Sequence, residues 1–282
     1  MTSTGDKVVI LGGRGMLGSD IANECKVRGV SFVALDLPEF DITNEQHLRA
    51  AVKDAAVIIN CAAYTNVDKA ETETGLAFRV NAEAVGQLGI LARKSGPWVL
   101  HISTDFVFDG NNDKPYVETD MSNPINAYGM SKLAGEKLLT ESRCRHCIIR
   151  LEWTYGRHGD NFVAKLVNRA KEQKQVKVVD DQVGSPTATT EAAKAICDLL
   201  PQRPQGRFHF AADGYTSRFN MAKFIFDKLK MPVEVIACKT ADFAGPAKRP
   251  LNSRFNCSKI RRLLDRSITR WQVPLEDFLR QL

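Results

Sequence analysis

Apolar residues fall along this chain in short, strand-length runs separated by segments with helical spacing. "KVVILGG" is a β-branched run that ends in glycines, and in "MLGSDIANECKVRG" the apolar Met16, Leu17, Ile21 and Ala22 recur at helical intervals, with Gly29 placed to stop the helix. The rhythm repeats. "SFVALD" reads as a second buried strand, "EQHLRAAVKD" as a helix, "AVIINCAA" as a third strand and "AETETGLAFRVNAEAVGQLGILARKSG" as one long helix. "PWVLHISTDFVF" reads as a fourth strand, "INAYGMSKLAGEK" as a helix and "CRHCIIRLEWTYG" as a fifth strand. Apolar strands alternating with helices predict a parallel sheet covered on both faces, an α/β fold of the doubly wound Rossmann type. Ligands of such sheets bind beyond the carboxyl ends of the strands.

After about residue 155 the pattern loosens. "NFVAKLVNRAKEQ", "TEAAKAICDLL" and "RFNMAKFIFDKLK" read as helices, "GRFHFAA" and "VEVIA" as strands, and "VKVVDDQVGSPT" as a strand running into a polar turn. A basic, Pro-containing loop around "GPAKRPLNSRFN" precedes a final amphipathic pair of helices. The expected organisation is a main domain over 1–155 and a smaller α/β lobe over 156–282 that faces the substrate, with some of its segments returning to the main domain.

Composition narrows the function classes. At 282 residues the chain is long enough for one large core and an appendage, and 44% hydrophobic with 26% charged residues is ordinary for a globular protein. The net charge of +6 is mild. Its basic residues are spread out except for Lys259, Arg261, Arg262, Arg266 and Arg270, which a solvated helix face explains better than nucleic acid. No apolar run reaches membrane-spanning length, and the start "MTSTGDKVVILGG" lacks a targeting signature, so the expectation is a cytoplasmic protein with no membrane or nucleic-acid partner. Seven irregularly spaced Cys agree with a reducing compartment; Cys144 and Cys147 form a C-x-x-C with no second ligand pair, which reads as packing, and no metal site is assigned.

The turn after the first strand reads Gly12-Gly13-Arg14-Gly15-Met16-Leu17-Gly18, a G-x-x-G-x-x-G. Glycines there permit a sharp strand-to-helix turn and bring the backbone against a pyrophosphate, which the free N–H groups and dipole of the helix attract. Following a strand and opening a helix, the turn predicts a dinucleotide site. Asp36 ends the second strand, where its carboxylate can accept from the ribose hydroxyls of NAD and would repel the extra phosphate of NADP, while Arg14 would pair with that phosphate. NADH and NADPH both stay open. Asp41-Ile42 suits the adenine flank, and a helix cap equally well.

Tyr128 and Lys132 are four apart on a helix, so their side chains share a face. Ser103, Thr104 and Asp105 sit at a neighbouring strand end on the ligand side. A hydride arriving at a ketone carbon leaves charge on oxygen, which then needs a hydrogen-bond donor and a proton. Tyr128 can provide both, Lys132 is expected to lower its pKa, and Thr104 can hold the oxygen.

In this order, the glycine turn, "NCAAYTNVDKAE", "FRVNA", "STDFVFDG", "AYGMSKLAGEK" and "RLEWTYG" resemble an extended short-chain dehydrogenase/reductase, and more closely the dTDP-4-dehydrorhamnose reductase family. The likeness spans nearly the whole chain, "DDQVGSPT" and "RPLNSRFN" included. It implies reduction, with NADPH or NADH, of the 4-keto group of a dTDP-linked 4-keto-6-deoxysugar, giving dTDP-L-rhamnose. The catalytic Thr, Tyr and Lys fall on Thr104, Tyr128 and Lys132, and the cofactor would also meet Cys61, Ala62 and Ala63. The resemblance maps sugar contacts to Thr65, Val67, Asp105 and Trp153, and the nucleotide diphosphate end to Gln182 and Arg249. Some members bind Mg²⁺ through carboxylates at a dimer contact; Asp20 and Glu191 are the candidate counterparts, a complete site is not legible, and a homodimer is left open. Phe106 replaces a usual Tyr, and Glu152 is a departure expected beside the nicotinamide. The competing readings are a reductase of a related dTDP-4-keto sugar and a non-catalytic NADP-binding subunit like that of methionine adenosyltransferase.

Overall fold

The computed structural model describes residues 7–243 and 245–282; the opening segment up to Asp6, read above for targeting signals, lies outside them. The chain forms β1 (Val8–Leu11), α1 (Met16–Val27), β2 (Phe32–Leu35), α2 (Glu45–Val52), β3 (Val57–Asn60), α3 (Thr74–Phe78), α4 (Ala84–Ser95), β4 (Trp98–Thr104), α5 (Ala127–Glu141) and β5 (His146–Leu151). It continues through β6 (Thr154–Tyr155), α6 (Phe162–Glu172), β7 (Gln175–Val179), β8 (Val183–Gly184), β9 (Thr187–Ala188), α7 (Thr189–Leu199) and β10 (Gly206–Phe210). Last come β11 (Thr216–Ser217), α8 (Arg218–Lys228), β12 (Glu234–Cys238), α9 (Ser258–Arg261) and α10 (Gln272–Leu279).

The central sheet has the order β2-β1-β3-β4-β5-β10, with every pairing parallel. Because β1 pairs with both β2 and β3, the order of building reverses there and opens a crevice at the strand ends. Side chains along β1 alternate between the two covered faces. Val8 and Ile10 join a core with Ile21 and Cys25 of α1, whereas Val9 and Leu11 join one with Leu48 of α2 and Leu88 of α4. Each such buried aliphatic side chain contributes about 1.5–3 kcal/mol relative to exposure.

A second core lies in the C-terminal half, where β7 pairs in parallel with β12 and α8 packs on both. Val176, Val178, Ile225, Phe226, Leu275 and Phe278 meet there. Other segments return to the main sheet: α7 packs on α1, β10 becomes the edge strand beside β5, and Phe255, Ile260 and Leu264 join its core.

Several expectations need correction. The single long helix of the sequence reading is divided into a 3₁₀ turn (Lys69–Glu71), α3, a π-helical stretch (Arg79–Glu83) and α4. In the π stretch the buried Asn81 turns its amide away from its own helix to the backbone of Tyr64 and the hydroxyl of Ser131. β4 ends at Thr104, not at Phe108, because the Thr104 hydroxyl accepts from the Phe106 N–H and starts a 3₁₀ turn. The final helical pair reduces to the four-residue α9 and to α10. Cys144 and Cys147 are free thiols in different cores, on opposite faces of the sheet, as packing requires. Within the basic cluster, Arg261 pairs with Asp213, and Arg266 with Glu191 and Asp198.

Candidate active site

A cleft of about 1830 Å³ runs from the carboxyl ends of the parallel strands to the second core. A site for one small ligand occupies about 300–1,000 Å³, so this one has room for two. At one end is the glycine turn. Gly12 has φ 76°, and a Cβ on Gly18 would lie 2.1 Å from the Gly12 carbonyl oxygen, so α1 starts this close to β1 only with glycine at position 18. α1 has no side-chain N-cap and no acid in its first turn, which leaves its first N–H groups for an anion. Gly12, Gly15, Met16, Leu17 and Gly18 line the cleft, as do Asp41, Ile42, Cys61, Ala62 and Ala63. Asp41 is not the helix cap, a role taken by Asn44 at the start of α2; it accepts from the Thr43 N–H and hydroxyl in the preceding turn.

Arg14 is not among the lining residues. Its guanidinium donates to the Leu37 carbonyl and pairs with Glu39 at 2.9 Å, both partners well exposed. The Asp36 carboxylate, which does line the cleft, accepts from the Arg14 backbone N–H at 2.7 Å and from the Leu37 N–H at 2.8 Å. Each oxygen keeps lone pairs for a further donor. The sequence set Asp36 against Arg14 as rivals; in the fold the Arg14 backbone orients Asp36 while its side chain is drawn away.

Thr104, Tyr128 and Lys132 line the same cleft. Asn126 caps α5 by accepting from the Gly129 N–H at 2.7 Å and donates to the Lys248 carbonyl; Glu71 accepts from the Ala127 N–H. A Cβ on Gly129 would stand 2.1 Å from the Phe106 carbonyl oxygen, so the first turn of α5 presses directly on the loop after β4. Phe106 meets the Tyr128 ring edge-on at 5.6 Å, and replacing the family's Tyr there keeps the ring contact. The Thr104 hydroxyl donates to Asp105 Oδ1 at 3.0 Å, and Ser253 donates to Asp105 Oδ2 at 2.5 Å. Lys132 is buried, with Nζ donating to the Ile102 carbonyl at 2.7 Å.

The electrostatics correct one expectation. Burial pushes the Tyr128 phenol up to about 12, against the opposing hydrogen bond with Thr104, instead of Lys132 drawing it down. Burial likewise brings the Lys132 ammonium down to about 8, with Glu136 and Cys61 opposing. In the protein alone, Tyr128 therefore keeps its proton.

Thr65, Val67, Asp105, Trp153, Gln182 and Arg249 also line the cleft. Trp153 adopts φ 45°, an outlying backbone for a bulky residue. Its ring lies against Gly184 on one side, and the Arg218 guanidinium stacks 3.6 Å from its centroid. Arg218, which sequence reading missed, also covers Phe162; Asp105 and Glu152 attract it, yet burial dominates and lowers it to about 9. Its only legible signal was a position just after the helix cap Ser217. Gln182 donates to the Thr240 hydroxyl, and Arg249 pairs with Asp68 at 2.8 Å.

Glu152 does not face the nicotinamide region. Leu151 and Trp153 line the cleft and Glu152, between them, is directed away, fully buried, with neither carboxyl oxygen hydrogen-bonded. Burial, and then the Asp105 carboxylate, hold its carboxyl well above the usual range.

Asp20 and Glu191, the candidate carboxylates for a shared Mg²⁺, are hydrogen-bonded within the chain. Glu191 accepts from Lys194, Arg266 and Thr269, Asp20 accepts from Thr189, and no group of three His, Cys, Asp or Glu able to hold a metal occurs among the described residues. No helix of the described residues is long and apolar enough to cross a membrane.

The family described as the RmlD substrate binding domain matches residues 6–282. The dTDP-4-dehydrorhamnose reductase of Salmonella typhimurium is 34% identical over 98% of this chain and 97% of its own length. The crystal structure of the Clostridium acetobutylicum dTDP-4-dehydrorhamnose reductase superposes with a TM-score of 0.93 at 36% identity, covering 98% of this chain and 99% of that one. That of the Bacillus anthracis enzyme, in complex with NADP, also gives 0.93, at 34% identity and the same coverage. With the family model matching residues 6–282 and relatives 34% and 36% identical over nearly the full length of the chain, the protein belongs to the dTDP-4-dehydrorhamnose reductase family of extended short-chain dehydrogenase/reductases.

Proposed function

We propose that this protein reduces the 4-keto group of dTDP-4-dehydro-L-rhamnose to give dTDP-L-rhamnose, using NADPH or NADH, in deoxysugar synthesis for surface polysaccharide. The observation that carries the reading is the convergence of Thr104, Tyr128 and Lys132 on the same two-ligand cleft as the glycine turn. A reduced nicotinamide held at that turn supplies the hydride. Gly12 and Gly15 to Gly18 cradle the pyrophosphate, Asp36 holds the adenosine ribose, and Lys132 the ribose nearer the chemistry. Thr104 and Tyr128 receive the ketone oxygen, and Tyr128, protonated at neutral pH, passes its proton to that oxygen as negative charge develops. The remaining cleft residues, from Thr65 and Val67 to Gln182 and Arg249, take the sugar and the dTDP end. Residues 1–155 act mainly as the cofactor domain and 156–282 mainly as the substrate lobe. An assay of cofactor oxidation against dTDP-, UDP- and GDP-linked 4-keto sugars tests the assignment; no turnover with any dTDP-linked member refutes it.

Two substitutions probe the ends of the cleft. Asp36→Ala removes a carboxylate that opposes a 2′-phosphate, and is expected to shift the ratio of kcat/KM for NADPH over NADH upward by about tenfold, equivalent to about 1.4 kcal/mol. An unchanged ratio removes Asp36 from cofactor choice. Arg249→Ala is expected to raise KM for the nucleotide sugar about tenfold, the low end for a charge-assisted contact because Asp68 already engages the guanidinium, with kcat nearly constant. A fall in kcat at constant KM would contradict a binding role.

A further inference from the structure

Behind Lys132 lies a buried chain of polar side chains that the reaction as described does not use. Asn60 and His101 are direct cross-strand partners on β3 and β4, and both are fully buried. Asn60 Oδ1 accepts from the Ala62 N–H at 3.1 Å, which fixes the orientation of the amide. Its Nδ2 therefore faces His101 Nδ1, at 3.1 Å. The other ring nitrogen, Nε2, lies 3.4 Å from Lys132 Nζ. An amide nitrogen only donates, so His101 Nδ1 must accept. A neutral imidazole has one N–H, and with Nδ1 accepting, that proton is on Nε2 and points at Lys132. An ammonium has no lone pair to receive it; an amine has one.

We infer that His101 carries its proton on Nε2, directed at Lys132 Nζ, in the cofactor-free protein, making His101 a positioning residue that disfavours the Lys132 ammonium. The inference about catalysis rests on the reading of Lys132 as part of the reacting set; the hydrogen-bond assignment does not. Protonating Lys132 turns two donors against each other across the 3.4 Å contact. Moving the ring proton to Nδ1 would relieve that clash only by setting an N–H against the Asn60 amide. Either way the ammonium form loses one buried hydrogen bond, in addition to its desolvation. The titratable groups around the pair are Cys61 at the end of β3, Tyr128 and Glu136 on α5, and His146 on β5. Glu136 favours the ammonium, but its carboxylate is already engaged by Arg150 and Ser103. Burial keeps the His101 imidazolium well below its ordinary range, so the ring stays neutral through the working pH.

The ring tautomer can be read without any activity. In full-length protein labelled with ¹⁵N-histidine, the five His rings are assigned by single His→Gln replacements; if His101→Gln does not fold, the other four identify His101 by elimination. At pH 7, without cofactor, His101 should show a protonated Nε2 and an unprotonated Nδ1. A protonated Nδ1 would overturn the inference. The functional arm is the pH profile of kcat/KM. His101→Leu keeps the site buried and removes the donor, so the limb set by Lys132 should move up by about one pH unit. A limb unmoved in a folded His101→Leu protein would overturn the tuning role. A failure of the catalytic reading would show separately, as undiminished turnover when Tyr128 is replaced.

Discussion

Tyr128→Phe is expected to lower kcat by about 10²- to 10⁴-fold, the range for removal of a positioned general acid, while cofactor affinity changes little. The substitution keeps the ring, its edge-on contact with Phe106 and the cap of α5, so the loss would report the hydroxyl alone. The pH dependence has a defined sign. With the phenol pushed up to about 12 in the protein alone, the proton to be donated is present throughout the neutral range, and activity should not fall for want of it below that value. The measurement is steady-state turnover beside a direct titration of cofactor binding. Turnover within a few-fold of the parent would remove Tyr128 from the mechanism; lost cofactor binding would turn it into a binding residue.

Glu136→Leu should destabilise the fold by about 3–5 kcal/mol, because it strands the Arg150 guanidinium, whose side chain is 0% exposed, without its counter-ion. Glu136 accepts from Arg150 Nε at 2.8 Å, from Arg150 Nη2 at 2.6 Å and from the Ser103 hydroxyl at 2.5 Å, tying α5 to β4 and β5 beneath the reacting residues. Replacing both charges, Glu136→Leu with Arg150→Met, should recover most of the loss, since desolvating the pair offsets much of its attraction. Denaturant unfolding of the two single variants and the double variant measures this. A Glu136→Leu protein within 1 kcal/mol of the parent would show that the pair contributes little.

What the sequence disclosed follows from the range of the interactions involved. Tyr128 and Lys132 were legible because helical spacing alone makes them neighbours, and Thr104 because a strand end in a parallel sheet is a ligand position. "GRFHFAA" was recognisable as a strand, but its place beside β5 depends on a crossover that no local pattern encodes. Arg218, His101 and the Glu136–Arg150 pair escaped for the same reason: each acts through contacts between separate elements, made only in the folded chain. Glu152 was misplaced because Trp153 leaves the extended backbone just after β5, and the side-chain alternation sends Glu152 behind the cleft. The partner of Arg14 was not legible, because Glu39, the carboxylate that would compete with a phosphate for its guanidinium, is three residues beyond Asp36, in a loop whose path could not be foreseen.

The ion pair between Arg249 and Asp68 joins the two walls of the cleft, one residue following β3 and the other preceding the C-terminal elements. Arg249 holds the Asp68 carboxyl below its ordinary range, so the link persists at neutral pH. An incoming diphosphate thus competes with a carboxylate for the same guanidinium, and the affinity gained is a difference between two ion pairs. Both pairs weaken together as salt screens them, so the Michaelis constant of this enzyme should depend less on ionic strength than a cleft with an uncommitted arginine would allow.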